Sequence, residues 1–192
     1  MHVTIMAFAG ITARYGAMNL KLKRTPGIFL VGFMGSGKST VGRFLADEVG
    51  WKSIDLDEEI ERQAGMSIPE MFDQQGEAAF RALESKLLAQ YVKLVQSGRP
   101  HVLSLGGGAF LSDDNFKLVT HNGISIWLDC PLKKVEQRLA GNTHRPLARD
   151  PLKLRKLYAS RREGYARADC RIAVQSDDPA VTSRAILELP LF

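Results

Sequence analysis

The chain has 192 residues, 45% of them hydrophobic, enough for one well-buried core, and no Pro/Ser-rich linker or internal repeat divides it. No apolar run approaches the ~18 residues of a membrane-spanning helix, and Cys130 and Cys170 lie far apart with no C-x-x-C pair, which argues against a zinc site or a disulfide scaffold and fits a reducing cytoplasm. The net charge of +5 is unevenly spread, with four basic residues and no acid in 1–26 and nine basic residues against three acids in 145–171, so the rest of the chain is acidic and neither nucleic acid nor membrane is expected as a partner.

Residues 1–26 are expected to be a poorly ordered extension, or to precede a true start at Met18; residues 27–192 are expected to form a single domain. The apolar run Ile28-Phe29-Leu30-Val31 predicts a buried strand, a glycine-rich loop follows it, and Thr40 to Val49 has helical periodicity. Gly50 stops that helix, and Lys52 to Leu56 reads as a second strand. Ser67-Ile68-Pro69-Glu70 has capping-box spacing and opens a helix towards Gln75; a second helical pattern runs from Glu77 to Gln96. His101 to Leu105 is the third strand, entering Gly106-Gly107-Gly108. Ser112 is expected to cap another helix, Ile124 to Leu128 is the fourth strand, and Pro131 starts the helix after it. A polar loop from Gly141 to Arg149 precedes a basic helix, Arg171 to Val174 is the last strand, and Asp178-Pro179 starts the last helix. Strands alternating with helices predict an α/β/α layering around a parallel sheet, with ligands at the carboxyl ends of the strands.

The segment Gly32 to Thr40 satisfies the phosphate-binding pattern G-x-x-x-x-G-K-[ST] at Gly32, Gly37, Lys38 and Ser39. Gly35 and Gly37 let consecutive amides wrap a phosphate at a helix start, Lys38 reaches the β- and γ-phosphates, and the Ser39 hydroxyl ligates Mg²⁺. The third strand ends in glycines with no acid, so Asp55 is the expected second Mg²⁺ carboxylate, acting through a water. Strand alternation through Asp55-Leu56-Asp57 would put Asp57 on the same side, facing the phosphoryl acceptor to orient its hydroxyl or take its proton. The competing reading for the pair is capping of the helix that follows. Three glycines after a buried strand point to close approach of a ligand to the backbone. Arg81 has an alternative as a surface partner of Glu77 or Glu84.

The set GSGKS, DLD, FRALE, GGG and RPLA, in this order and spacing, resembles the shikimate kinase family from about Gly27 to the last helix. The resemblance implies a P-loop fold of the nucleoside-monophosphate-kinase type, with a five-stranded parallel sheet and a mobile lid at about 141–155. It implies phosphoryl transfer from Mg·ATP to the 3-hydroxyl of shikimate, in chorismate and aromatic amino acid biosynthesis. The residues it implies for nucleotide are Gly35, Ser36, Gly37, Lys38, Ser39 and Thr40, with Arg138 stacking on adenine, Pro179 flanking it and Arg145 closing over the γ-phosphate. For shikimate it implies Asp57, Arg81, a glycine of the triplet, for which Gly107 is chosen, and Arg161 of an R-x-x-x-Y pattern with Tyr165; Arg162 is the rival. Lys38, Asp57 and Arg145 are the implied catalytic groups, Ser39 and Asp55 the metal-holding ones. Glu163 and Gly164 stand where relatives often have proline and leucine. A cytoplasmic monomer is expected. The competing readings are another small-molecule P-loop kinase, for gluconate or a nucleoside monophosphate, and a non-catalytic nucleotide-binding protein on the same fold.

Overall fold

A computed structural model describes residues 27–140 and 150–190. Its elements are β1 (Gly27–Val31), α1 (Lys38–Val49), β2 (Lys52–Asp55), α2 (Leu56–Ala64), α3 (Ile68–Gln96), β3 (His101–Ser104), a 3₁₀ turn (Ala109–Leu111), α4 (Asp113–Asn122), β4 (Gly123–Asp129), α5 (Leu132–Leu139), α6 (Pro151–Tyr165), β5 (Cys170–Ala173) and α7 (Pro179–Leu187). The five strands form one parallel sheet in the order β2-β3-β1-β4-β5. Helices cover it on both faces, so β1 and β4 are buried along their whole length and need the unbroken apolar runs their sequences show.

The strand order positions the site. β1 sits between β3 and β4 in register Ile28↔Val102 and Ile28↔Ile124, and the Leu105 amide donates to the Leu30 carbonyl at 3.0 Å. The loop after β1 and the glycine triplet after β3 therefore emerge side by side at the carboxyl edge, where such sheets bind ligands.

The capping box forms as expected. Ser67 N donates to Glu70 Oε2 at 2.8 Å, and Glu70 N donates to Ser67 Oγ at 3.3 Å. Gly76 (φ 80°, ψ 169°) interrupts α3, giving the two helical stretches expected on either side of it. Two expectations fail. β2 stops at Asp55, because Asp55 Oδ1 accepts from the amides of Asp57 at 3.0 Å and Glu58 at 3.3 Å, and this cap turns the chain into α2. Asp57 is thus a helical residue, and strand alternation is not what directs it. Ser112 occupies the N-cap position of α4 with no side-chain hydrogen bond to the helix. The expectations for residues 1–26 and for the loop 141–149 fall outside the described residues.

Candidate active site

The phosphate loop has the backbone its glycines allow. Gly35 (φ 73°) and Gly37 (φ 97°) are left-handed, a conformation that strains any side-chain-bearing residue. Gly37 is the N-cap of α1, yet no side chain caps that helix and no acid lies in its first turn. The positive end of α1 is left to act on whatever occupies the loop. Lys38 folds back over the loop, with Nζ donating to the carbonyls of Gly32 at 3.0 Å and Phe33 at 3.1 Å. Ser36 Oγ is buried with no hydrogen-bond partner.

A cavity of about 350 Å³ opens over this loop. Residues 34–41 form its floor; Asp55, Asp57, Leu105 and Gly107 line one flank, and Arg138, Val174, Ser176, Asp177, Pro179 and Thr182 also line it. Asp55 and Asp57 thus reach the same space although only one of them is on a strand. Arg138 Nη1 donates to the Gly35 carbonyl at 2.9 Å and Nη2 to Asp177 Oδ1 at 2.8 Å.

The glycine triplet also makes room for the protein's own side chains. None of the three has a left-handed φ. What each excludes is a Cβ that would strike the protein's own charged side chains. At Gly106 it would lie 2.6 Å from Asp57 Oδ1 and 2.9 Å from Glu84 Oε1, at Gly107 3.2 Å from Arg161 Nη1, and at Gly108 2.7 Å from both terminal nitrogens of Arg81. The triplet is the floor on which two acids and two arginines converge.

Arg81 holds both of its sequence-predicted partners, Glu84 Oε2 at 2.8 Å and Glu77 Oε1 at 3.2 Å. Glu84 is 1% exposed, far from a surface pair, and burial pushes its carboxyl above the usual glutamate range while Arg81 pulls the other way. Its Oε1 has no hydrogen-bond partner.

Arg161 and Arg162 separate cleanly. Arg161 lies at Gly107 with its guanidinium 5.8 Å from the Phe33 ring centroid. One turn on, Tyr165 donates to the Gly107 carbonyl, and burial pushes its hydroxyl up to about 12. Arg162 points elsewhere, donating to Asp129 at 2.7 and 3.1 Å and to the Tyr158 hydroxyl at 2.7 Å. Gly164 also has a reason: a Cβ there would lie 2.3 Å from Leu111 Cδ2, so glycine lets α6 seat against the 3₁₀ turn that follows the triplet.

Residues 34–189 match the protein-family model described as "Shikimate kinase". The chain belongs to the shikimate kinase family. It is 42% identical to the shikimate kinase of Synechococcus elongatus over 166 residues, 84% of this chain and 85% of that one. Among solved structures, shikimate kinase from Acinetobacter baumannii in complex with shikimate superposes with a TM-score of 0.79 at 35% identity, covering 86% of this chain and 92% of that one. The Aquifex aeolicus shikimate kinase gives 0.74 at 33% identity, covering 83% and 93%. The expected family, P-loop kinase fold and enzyme class are therefore borne out, and the activity is shikimate kinase activity, an ATP-using step of the shikimate pathway. The rival reading as a gluconate or nucleoside monophosphate kinase is set aside, and so is that of a non-catalytic binding protein. Among the described residues no helix is long and apolar enough to cross a membrane.

In a shikimate kinase site built this way, sequence reasoning missed three groups. Glu84 was visible only as an acid three residues after Arg81. Tyr165 served only as a motif marker, and nothing distinguished Asp177 from the neighbouring cap residue Asp178. Arg145 lies outside the described residues.

Proposed function

We propose that this enzyme transfers the γ-phosphoryl group of ATP to the 3-hydroxyl of shikimate, giving shikimate 3-phosphate and ADP, and that it acts as a cytoplasmic monomer. The observation that carries this reading is that one cavity joins the phosphate loop to Asp57 and Gly107, so a triphosphate tail and a small hydroxy acid fit side by side.

The amides at the start of α1, from Gly35 to Thr40, hold the phosphates, and Lys38 exchanges its loop carbonyls for the β- and γ-oxygens. Arg138 and Pro179 flank the base. The donors offered to a metal are the Ser39 hydroxyl and the Asp55 carboxylate, both lining the cavity, and no group of three or more His, Cys, Asp or Glu able to hold a metal occurs among the described residues. Such a sparse set of hard oxygens suits Mg²⁺, which keeps several waters and takes the rest of its shell from phosphate. When bound, the ion supplies positive charge to the phosphoryl oxygens.

Asp57 accepts the proton of the 3-hydroxyl and orients its oxygen towards phosphorus. Arg81 and Arg161 grip the shikimate carboxylate, with planar donor pairs that suit a carboxylate better than a lysine would. Glu84 and Glu77 keep the Arg81 fork oriented before substrate arrives, and Gly107 contributes backbone. Arg145, in the segment 141–149, is assigned to close over the γ-phosphate and exclude water. Adding shikimate to enzyme with magnesium and ATP should release ADP and yield shikimate 3-phosphate. ADP release that does not depend on shikimate would overturn the reading. Arg145→Ala should lower turnover with the fold intact, and near-normal turnover would remove the lid role.

A further inference from the structure

The loop joining β5 to α7 carries two adjacent aspartates with different tasks. Asp178 caps α7, accepting from the Ala180 amide at 2.9 Å. Asp177 takes no part in that cap. Its Oδ1 receives Arg138 Nη2 at 2.8 Å and Lys134 Nζ at 3.1 Å, both from α5. The other terminal nitrogen of Arg138 is held by the Gly35 carbonyl at 2.9 Å, so the two terminal nitrogens are fastened to two different segments, the phosphate loop and the β5–α7 loop. A guanidinium is planar and rigid, and two such bonds fix the orientation of its plane as well as its position.

Electrostatics alone makes Asp177 an unfavourable residue here. It lines the cavity whose floor is the phosphate loop, and a carboxylate repels a triphosphate. Its presence calls for a gain elsewhere. We propose that Asp177 is a positioning residue for the nucleotide base: it pins the Arg138 guanidinium as a flat, preoriented wall of the cavity, ready to stack on a purine. This rests on the reading of Arg138 and Pro179 as the base site. The pin is assigned to the base, and because Arg138 also holds the Gly35 carbonyl of the phosphate loop, its effect on the phosphates has to be measured separately.

The two accounts differ in sign, which makes the test sharp. Equilibrium titration calorimetry in one magnesium-containing buffer compares ATP with inorganic tripolyphosphate, which has no base. With the pin, Asp177→Asn weakens ATP about three- to fivefold, the scale of an exposed ion pair, leaves tripolyphosphate unchanged or tighter, and does not weaken ATP in an Arg138→Ala background. Tightening of both ligands would show simple charge repulsion. Equal weakening of both would show damage to the phosphate loop. Unchanged ATP affinity, or weakening that persists without Arg138, would equally overturn the pin. None of these measurements needs turnover. Absent shikimate-dependent ADP release would therefore refute the proposed function and leave this test standing, whereas a failed ATP contrast with turnover intact would refute the pin alone.

Discussion

Two carboxylates in this molecule are buried against arginine, and they are treated in opposite ways. Asp129, at the end of β4, has both oxygens engaged. Arg162 and Arg171 converge on it, both guanidiniums stand 5.0 Å from the centroid of the Trp127 ring, and β4, β5 and α6 are tied together. Glu84 is more deeply buried yet engages Arg81 with only one oxygen, and its second oxygen is enclosed without a partner beside Asp57 and Gly106. A saturated buried charge is a structural tie, whereas an unsaturated one is a cost that the fold carries for some other purpose. Among the described residues three buried side-chain polar atoms lack a hydrogen-bond partner; one is in the phosphate loop and one is beside Asp57. Incomplete hydrogen bonding collects at the proposed reaction site.

The comparison breaks first at Asp57. Asp57→Asn keeps the shape of the side chain and removes the proton acceptor, so turnover should fall by roughly 10²–10⁴-fold while the circular-dichroism melting curve stays close to wild type. Retained turnover would leave the crowded carboxylates without a catalytic explanation. Next come the neighbouring arginines. Arg161→Ala should raise the KM for shikimate by roughly ten- to a hundredfold, the scale of lost charged hydrogen bonds, with little change in melting. Arg162→Ala should do the reverse, lowering stability by about 1 kcal/mol with a small effect on KM. That figure is modest because the Arg162 side chain is 37% exposed and Arg171 remains on Asp129. If the two variants exchanged phenotypes, the division of α6 into an arginine at the site and an arginine tied to Asp129 would be wrong.

Much of this was legible from composition and spacing, and the failures have physical causes. The apolar runs of β1 and β4 announce strands covered on both faces, and the glycine-lysine-serine spacing announces the loop. Asp55 and Asp57 were correctly grouped, but for a wrong reason. Alternation assumes a strand, and the Asp55 cap had already ended it. Capping and ligand binding are also not exclusive: Asp55 does the first with Oδ1 and still lines the cavity. Glu84 was illegible as a site residue because i,i+3 spacing from an arginine describes a surface pair equally well. Its burial involves the glycine triplet beyond β3, where Glu84 Oε1 lies against Gly106. Of the triplet, Gly107 lines the cavity, while at Gly106 and Gly108 the room a side chain would need is taken by residues of α2 and α3, which no local pattern reports.

Gly106→Ala tests that crowding with an effect on activity smaller than those expected at Asp57 and Arg161. The added methyl must displace Asp57 Oδ1 or Glu84 Oε1, which lie at 2.6 and 2.9 Å from its position. Both are ends of side chains, so the fold should tolerate the change at a cost of about 1–3 kcal/mol, and kcat/KM should drop about tenfold, because an ångström of misplacement is felt strongly in transfer chemistry. A larger loss of stability than of activity would make the triplet a packing device only.

The smallest effect sharpens the difference between the two carboxylates most directly, through pH. Burial raises the proton affinity of Glu84 in the folded chain, with the Asp57 charge adding to it and Arg81 opposing. The folded state then binds a proton more tightly than the unfolded one, so stability is fullest below the ordinary glutamate range and declines as pH rises through the elevated folded value. Glu84→Gln removes this titration while keeping an acceptor for Arg81. In urea melts across mildly acidic pH, the variant should lack the part of the decline that Glu84 contributes, a difference of about 1 kcal/mol or less. If the wild-type and Glu84→Gln curves stay parallel through that range, Glu84 is ionised without penalty in the fold, and the contrast between a satisfied and an unsatisfied buried acid loses its energetic basis.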